Sequence, residues 1–167
     1  MDSPKVLVLM GSDSDLSVMS EALTFLKQMD VNYTVDVSSA HRDPERTVRY
    51  ARNARARGFE VIIATAGMAA HLPGVIASHT TLPVIGVPAA GGALGGIDAL
   101  LSIVQMPKGI PVATVGLDAG KNAAILACMI LSIKYPLLNK KLEKLKKELR
   151  NENRAKGAKM RKAVPST

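Results

Sequence analysis

The sequence predicts a three-layer α/β/α domain built on a parallel, flavodoxin- or Rossmann-like sheet of about five strands. Five short apolar runs alternate with segments in which apolar residues recur every three or four positions. Continuous apolar runs are typical of strands that helices cover on both faces. The length of 167 residues suits one domain, and alternating strands and helices join through right-handed crossovers.

The beginning of the chain contains two strand–helix pairs. Residues 6–10 and 33–37 are predicted strands, and the helix between them has one apolar face. That face consists of Met19, Ala22, Leu23, Leu26 and Met29. A second helix over 44–57 begins at Pro44 and ends before Gly58, because these residue types are favoured at the start of a helix and just beyond its end.

The rest of the chain continues the alternation. Strands are predicted over 61–64, 83–88 and 111–115. Helices are predicted at the end of the loop 65–74, from the small-residue loop 89–96 to Val104, over 122–133 and over 138–150. The loops that follow parallel strands meet at the carboxyl edge of the sheet, where ligands bind in such folds.

The formal charge of +8 is confined to the end of the chain. Residues 139–167 hold eleven Lys and Arg against three Glu, whereas residues 1–138 hold eleven basic and eleven acidic residues. We predict one catalytic domain over 1–150 and a basic, disordered tail over 151–167, because the tail has few apolar residues. A basic tail could dock RNA, but the body lacks an aromatic and basic stacking surface, so no nucleic-acid partner is expected.

Composition also narrows the compartment and the cofactors. No apolar run reaches the ~20 residues that span a bilayer, and the chain opens on a strand rather than a targeting segment. A cytoplasmic location and no membrane partner are therefore expected. The single cysteine, Cys128, lies in an apolar helical run and is expected to be an inert core thiol. Three histidines without paired metal-ligand spacing predict no metal site.

The turn before the second helix carries the most reactive groups. Residues 38–42 place two serines, an imidazole and a guanidinium together. Imidazole transfers protons near neutral pH, and guanidinium binds phosphate through paired hydrogen bonds. The same turn also fits a plain helix start, with Ser39 or Asp43 as cap and Pro44 at the first helical position. From this turn alone, both interpretations stand.

Two other loops at the same edge carry polar groups. Ser12 and Asp15 follow the first strand, where the N–H groups of a helix start attract phosphate. Asp13 and Asp15 would repel a phosphate, so at least one of them is expected to cap the helix or hold a sugar hydroxyl. This loop lacks the Gly-Lys-Ser/Thr ending of an ATP-binding loop. In the loop after the third strand, His71 could orient a carboxylate or simply begin a helix.

Four motifs occur in a fixed order along the chain. They are Met-Gly-Ser-Asp-Ser-Asp at 10–15, Ser-Ala-His-Arg at 39–42, Ala-Ala-His-Leu-Pro-Gly at 69–74 and Ser-Ile-Val-Gln-Met-Pro at 102–107. In these motifs the sequence resembles the class I N5-carboxyaminoimidazole ribonucleotide mutases of de novo purine synthesis, the phosphoribosylaminoimidazole carboxylase catalytic-subunit family. The similarity extends from about Lys5 to Ile133. Each motif alone is weak, but the ordered set is specific.

The resemblance implies an isomerase without a cofactor. Such an enzyme moves a carboxyl group from the exocyclic nitrogen of a ribonucleotide to carbon 4 of its imidazole. The family's assembly would be a homo-octamer with active sites between subunits. The resemblance makes His41 the acid–base catalyst, and it implies that the ribose phosphate is bound by Ser12, Asp15, Ser39 and Arg42. It also places His71 at the carboxylate, and Gly67, Ala70 and Leu72 around the substrate.

The sequence departs from the family pattern at two parts of the pocket. Thr65 and Met68 lie in a loop where the family often has more glycine, and the segment 89–92 is smaller than usual. The basic C-terminal extension is also outside the pattern. Alternative interpretations are a class II enzyme that carboxylates aminoimidazole ribonucleotide directly with CO2, and a non-catalytic nucleotide-binding module with an RNA-docking tail. A flavin protein is a third, disfavoured because few aromatic residues could stack on the flavin.

Overall fold

Five parallel strands form one sheet in the computed structural model, which describes residues 3–164. The strands are β1 (Lys5–Met10), β2 (Asn32–Val37), β3 (Val61–Ala66), β4 (Val84–Pro88) and β5 (Ala113–Thr114). Their order is β2-β1-β3-β4-β5, so the strand order reverses between β1 and β3. Loops on either side of such a reversal leave a crevice at the carboxyl edge. The predicted flavodoxin-like α/β fold is confirmed.

Helices cover both faces of the sheet. They are α1 (Leu16–Gln28), α2 (Pro44–Asn53), α3 (Leu72–Ser78), α4 (Ile97–Val104), α5 (Gly120–Ser132) and α6 (Pro136–Ala163). In β1, Val6 and Val8 pack with residues of α1, α5 and α6, whereas Leu7 and Leu9 pack with residues of α2, α3 and α4. None of these four side chains is exposed, and burying each stabilises the fold by about 1.5–3 kcal/mol.

Two elements are shorter than the sequence predicts. The structure limits β5 to two residues, because Pro111 has no N–H to donate to β4 and pairing begins only at Ala113 opposite Ile85. Helix α2 was predicted to end at residue 57 but ends at Asn53. The chain continues as turns up to Gly58, whose φ of 79° reverses its direction.

Helix α6 is much longer than predicted. It runs without a break to Ala163, so the prediction of a disordered tail is wrong for residues 151–163. Residues 165–167 lie outside the described part of the chain. Low apolar content did not predict this helix, because Lys, Arg, Glu, Ala and Met have high helix propensity. They continue a helix whose first turns are already anchored by buried Leu138 and Leu142. Among residues 3–164, no helix is long and apolar enough to cross a membrane.

Candidate active site

A cavity of about 430 Å³ lies at the carboxyl edge of the sheet. Its walls are the loops that follow β1, β2, β3 and β4. The topology therefore brings together the three polar motifs at 10–15, 39–42 and 69–74 and the small-residue loop 89–92. The lining residues are Gly11, Ser12, Ser14, Asp15, Ser39, Ala40, His41, Arg42, Ala66, Gly67, Met68, Ala69, His71, Leu72, Ala89, Ala90, Gly91 and Gly92.

Most of the predicted site residues lie around this one cavity. Ser12, Asp15, Ser39, His41, Arg42, Gly67, His71 and Leu72 all line it. Ala70 does not: it is 1% exposed and packs in the core against the α2 and α3 side of the sheet. The neighbouring Ala69 takes the place at the wall. Thr65, one of the departures from the family pattern, is fully buried in β3 and does not line the cavity.

The loop after β1 is held by reciprocal capping. Asp15 accepts the backbone N–H of Ser12 at 3.0 Å, and the Ser12 hydroxyl accepts the N–H of Ser14 at 3.4 Å. This capping box confirms that one of the two aspartates caps the helix start. Burial raises the pKa of the Asp15 carboxyl, although the N–H groups of Ser12 and Gly11 favour its charged form. The capping hydrogen bonds therefore hold the Asp15 carboxyl on the Ser12 backbone.

The turn after β2 combines a helix cap with exposed polar groups. Asp43, rather than Ser39, caps α2 by accepting the N–H of Arg46 at 3.0 Å, with Pro44 at the first helical position. The Ser39 hydroxyl instead accepts the N–H of Arg42 at 3.3 Å. The helix-start interpretation is confirmed with Asp43 as the cap, and capping does not use His41 or Arg42, which line the cavity.

His41 and His71 meet directly across the cavity. The distance from Nε2 of His41 to Nδ1 of His71 is 2.5 Å, and the rings stand edge to face with centroids 4.6 Å apart. One nitrogen must donate and the other accept, so a single proton lies between the two rings. The topology had placed the two histidines at one edge, but their contact depends on loop geometry that has no sequence signature.

Other lining residues were not predicted as ligands. Ser14 belongs to the first motif and could have been inferred from it. Met68 has a φ of 52° and a side chain that is 64% exposed, and its side chain lies within 3.4 Å of where a Cβ on Gly92 would be. The Met68 side chain thus lies beside Gly92 in the loop after β4. No group of three or more His, Cys, Asp or Glu that could hold a metal ion occurs in residues 3–164.

Comparison with known proteins gives a consistent result. The family model described as AIR carboxylase matches residues 5–152. A Pyrococcus abyssi protein named N5-carboxyaminoimidazole ribonucleotide mutase is 61% identical over 147 residues, covering 88% of this chain and 84% of that protein. A Schizosaccharomyces pombe protein named phosphoribosylaminoimidazole carboxylase is 56% identical over 138 residues, covering 83% of this chain but only 25% of that protein.

A solved structure supports the same assignment. The crystal structure of Treponema denticola PurE matches with a TM-score of 0.86 and 26% sequence identity, covering 95% of this chain and 99% of that chain. Since the family model spans most of the chain and a relative is 61% identical over 88% of it, this chain belongs to the AIR carboxylase family.

Proposed function

We propose that the protein is an N5-carboxyaminoimidazole ribonucleotide mutase of de novo purine synthesis. The observation that carries the proposal is the His41–His71 pair, which lies in a cavity that Ser12, Ser39 and Arg42 also line. A proton-transfer pair beside an anion-binding end fits a phosphorylated substrate that exchanges a proton during the reaction. The relative that is 61% identical carries the mutase name.

The phosphoribosyl end of the substrate binds at the loops after β1 and β2. Arg42 supplies a guanidinium, and Ser12 and Ser39 supply hydroxyls to the same phosphate. Asp15 holds the Ser12 backbone through the capping box and so positions the Ser12 hydroxyl for the phosphate. Binding energy far from the reacting atoms then fixes the imidazole in place.

The reaction conserves every atom of the nucleotide. The bond between the exocyclic nitrogen and the carboxyl carbon breaks, which releases CO2 and leaves an amine nitrogen that gains a proton. Carbon 4 attacks the CO2 and then loses its own proton. His41 relays that proton as general acid and base. Small walls at Gly67 and Ala69 let the ring and CO2 approach the backbone closely, while Leu72 provides an apolar side.

His71 completes the proton relay. Because its Nδ1 shares one proton with Nε2 of His41, a proton that His41 gains or loses changes the hydrogen bond between them. When His41 is protonated, His71 is the acceptor and stabilises the charge. His71 also orients the carboxylate that forms on carbon 4. This step uses groups of the chain alone, and the proposal includes no cofactor.

The proposal extends to the assembly and the compartment. We infer a cytoplasmic homo-octamer with active sites between subunits. The exposed apolar side chains Leu94, Ile97, Leu101 and Val104 lie next to the cavity wall and on α4, with half or more of each exposed. A neighbouring copy would cover this surface, as expected of an apolar patch of this kind. Sedimentation of the purified chain measures the assembly directly.

The test is a turnover assay with the carbamate nucleotide, without ATP and without added metal. We expect conversion to 4-carboxy-5-aminoimidazole ribonucleotide at a rate independent of added bicarbonate. Turnover of aminoimidazole ribonucleotide with CO2, and none of the carbamate, would favour the class II alternative. Nucleotide binding without either reaction would favour a non-catalytic module.

A further inference from the structure

The fourth wall of the cavity is a loop with little packing of its own. Residues 89–92 line the cavity, but Ala90, Gly91 and Gly92 are exposed. The loop consists of Ala and Gly, whose side chains add little packing, and its two glycines restrict the backbone least. In the sheet order β2-β1-β3-β4-β5, it lies beyond β3 from the phosphate end, beside the loop that carries His71. Its position therefore sets the width of the cavity on the side of His71, where the proposed reaction takes place.

One side chain far along the chain fixes this loop. Asp118 follows β5, and its Oδ1 accepts the backbone N–H of Ala90 at 2.8 Å. The backbone N–H of Asp118 donates to the carbonyl of Pro88 at 2.9 Å, and Ala89 donates to Ala66 at 3.0 Å. The loop is thus tied on one side to the end of β3 and on the other to Asp118.

The geometry at Asp118 and at its neighbour Gly96 supports this fixed position. Asp118 has a φ of 51°, a left-handed conformation that aspartate adopts at some cost. A Cβ on Gly96 would lie 2.8 Å from the Cα of Ala90, so Gly96 allows the loop to pack closely at the residue that Asp118 holds. Two uncommon backbone positions therefore converge on Ala90.

We propose that Asp118 is a positioning residue that holds the loop 89–92 against the reacting end of the cavity. The inference rests on the proposed function for the reaction it serves. A loosened loop would enlarge the space around the ring and let CO2 escape before carbon 4 attacks it. The phosphate end would be unaffected, because Ser12, Ser39 and Arg42 lie on the opposite side of β3.

The experiment compares three variants of the full-length chain. Asp118→Gly removes the acceptor while keeping the left-handed backbone accessible, and Asp118→Asn keeps both the acceptor oxygen and that backbone but removes the charge. Asp30→Gly is the matched control, because Asp30 also has a positive φ of 57° and its carboxylate pairs with Lys141 far from the cavity. It should change neither kcat nor KM.

For Asp118→Gly, we expect kcat to fall by about tenfold, because the reacting groups would be held less well in position. KM should change less than about threefold, because the phosphate contacts remain. Asp118→Asn should stay within about twofold of the original kcat, since the hydrogen bond to Ala90 remains. An unchanged kcat in Asp118→Gly would overturn the inference. The inference would also be overturned if Asp118→Asn were as slow as Asp118→Gly. The negative charge of Asp118 near the start of α5, and not its hydrogen bond to Ala90, would then be responsible.

Hydrogen exchange at residues 89–92 measures the tether without any substrate. Exchange should be faster in Asp118→Gly than in the original protein and unchanged in Asp118→Asn and Asp30→Gly. Equal exchange in all four proteins would overturn the inference even if the turnover assay succeeds. Absence of carbamate turnover in the original protein, with faster exchange in Asp118→Gly, would instead refute the proposed function and leave the tether established.

Discussion

His41 and His71 share one hydrogen bond, so neither imidazole can change its tautomer alone. Between nitrogens 2.5 Å apart, one donates and the other accepts, because two N–H groups facing each other at that distance would repel. The tautomer of each ring therefore determines whether the other donates or accepts. For a reaction that takes one proton from carbon and returns one to nitrogen, such a pair provides a single site that accepts and releases a single proton.

Replacing His41 by Asn should lower kcat on the order of a thousandfold, as expected for the loss of a general acid–base catalyst. His71→Asn should have a smaller effect on kcat, because His41 remains. His79→Asn is the control, since His79 ends α3 and does not line the cavity. Steady-state assays at several pH values provide the measurement. A folded His41→Asn protein with full turnover would rule out the assigned role.

Arg42→Ala should act on binding rather than on chemistry. Loss of hydrogen bonds between a guanidinium and a phosphate should raise KM by roughly 10- to 100-fold, with a smaller change in kcat. Arg49→Ala on the exposed side of α2 removes the same charge away from the cavity and should leave KM unchanged. Equal KM values for the Arg42 variant and the original protein would contradict phosphate binding at this residue.

Helix α2 is tied to β2 by a carboxylate with two partners. Asp36 accepts hydrogen bonds from Arg46 at 2.8 Å and from the hydroxyl of Tyr50. Burial alone would raise the pKa of Asp36, but the hydrogen bond from Tyr50, the N–H of Val37 and the charge of Arg46 outweigh it and lower the pKa. This contact aligns α2, the helix that begins directly after the turn carrying His41 and Arg42.

Tyr50→Phe should lower the free energy of unfolding by about 1 kcal/mol at neutral pH, since the contact is partly exposed. Because folding lowers the pKa of Asp36, the ionised carboxylate stabilises the folded state fully above the ordinary pKa of 3.8. This stabilisation is lost as the pH falls through the lowered pKa of the folded state. The difference between variant and original should therefore shrink below pH 3.8. Denaturant unfolding across pH 3–7 tests this; a difference that grows as pH falls would contradict it.

Helices α1 and α5 pack closely because Gly120 lacks a side chain. A Cβ there would lie 2.3 Å from the carbonyl oxygen of Val18, and neither backbone can move without separating the helices. Gly120→Ala should cost about 1–3 kcal/mol and lower the midpoint of denaturant unfolding. In the exposed part of α6, Gly157→Ala meets only the flexible Arg161 side chain at 3.6 Å and should not destabilise the protein. Similar losses in both would contradict the packing argument.

At the scale of the whole molecule, the fold was predictable because its signals are local. The apolar run in β1 and the alternation of strands and helices can both be seen in the sequence, and the topology then brings His41 and His71 to one edge. Long-range contacts were not predictable. Asp118 holds Ala90 from 28 positions away without any motif, and Ala70 turns into the core although it lies inside one.

Helix α6 contains one half whose structure was predictable from the sequence and one half whose structure was not. Its first half has a leucine stripe that predicts packing, and Leu138 and Leu142 are indeed buried. Its second half has no such stripe, and every residue from 146 to 164 is exposed except Gly157, which is partly buried. Low apolar content correctly indicates that this half does not pack on its own domain. It does not indicate disorder, because helix propensity persists without packing.

The projecting half of α6 should be dispensable for catalysis within a subunit. Removing residues 151–167 deletes five Lys and Arg and one Glu but no residue that lines the cavity. We expect unchanged kcat, KM and unfolding midpoint, a loss of helical signal in circular dichroism, and weaker retention on a cation exchanger. Leu142→Ala is the matched variant in the buried half and should lower the free energy of unfolding by about 2–5 kcal/mol.

If truncation lowers turnover or dissociates the assembly, the projecting half packs against a neighbouring copy. If instead the original chain binds an RNA probe in a salt-dependent manner and the truncated chain does not, the basic residues dock nucleic acid.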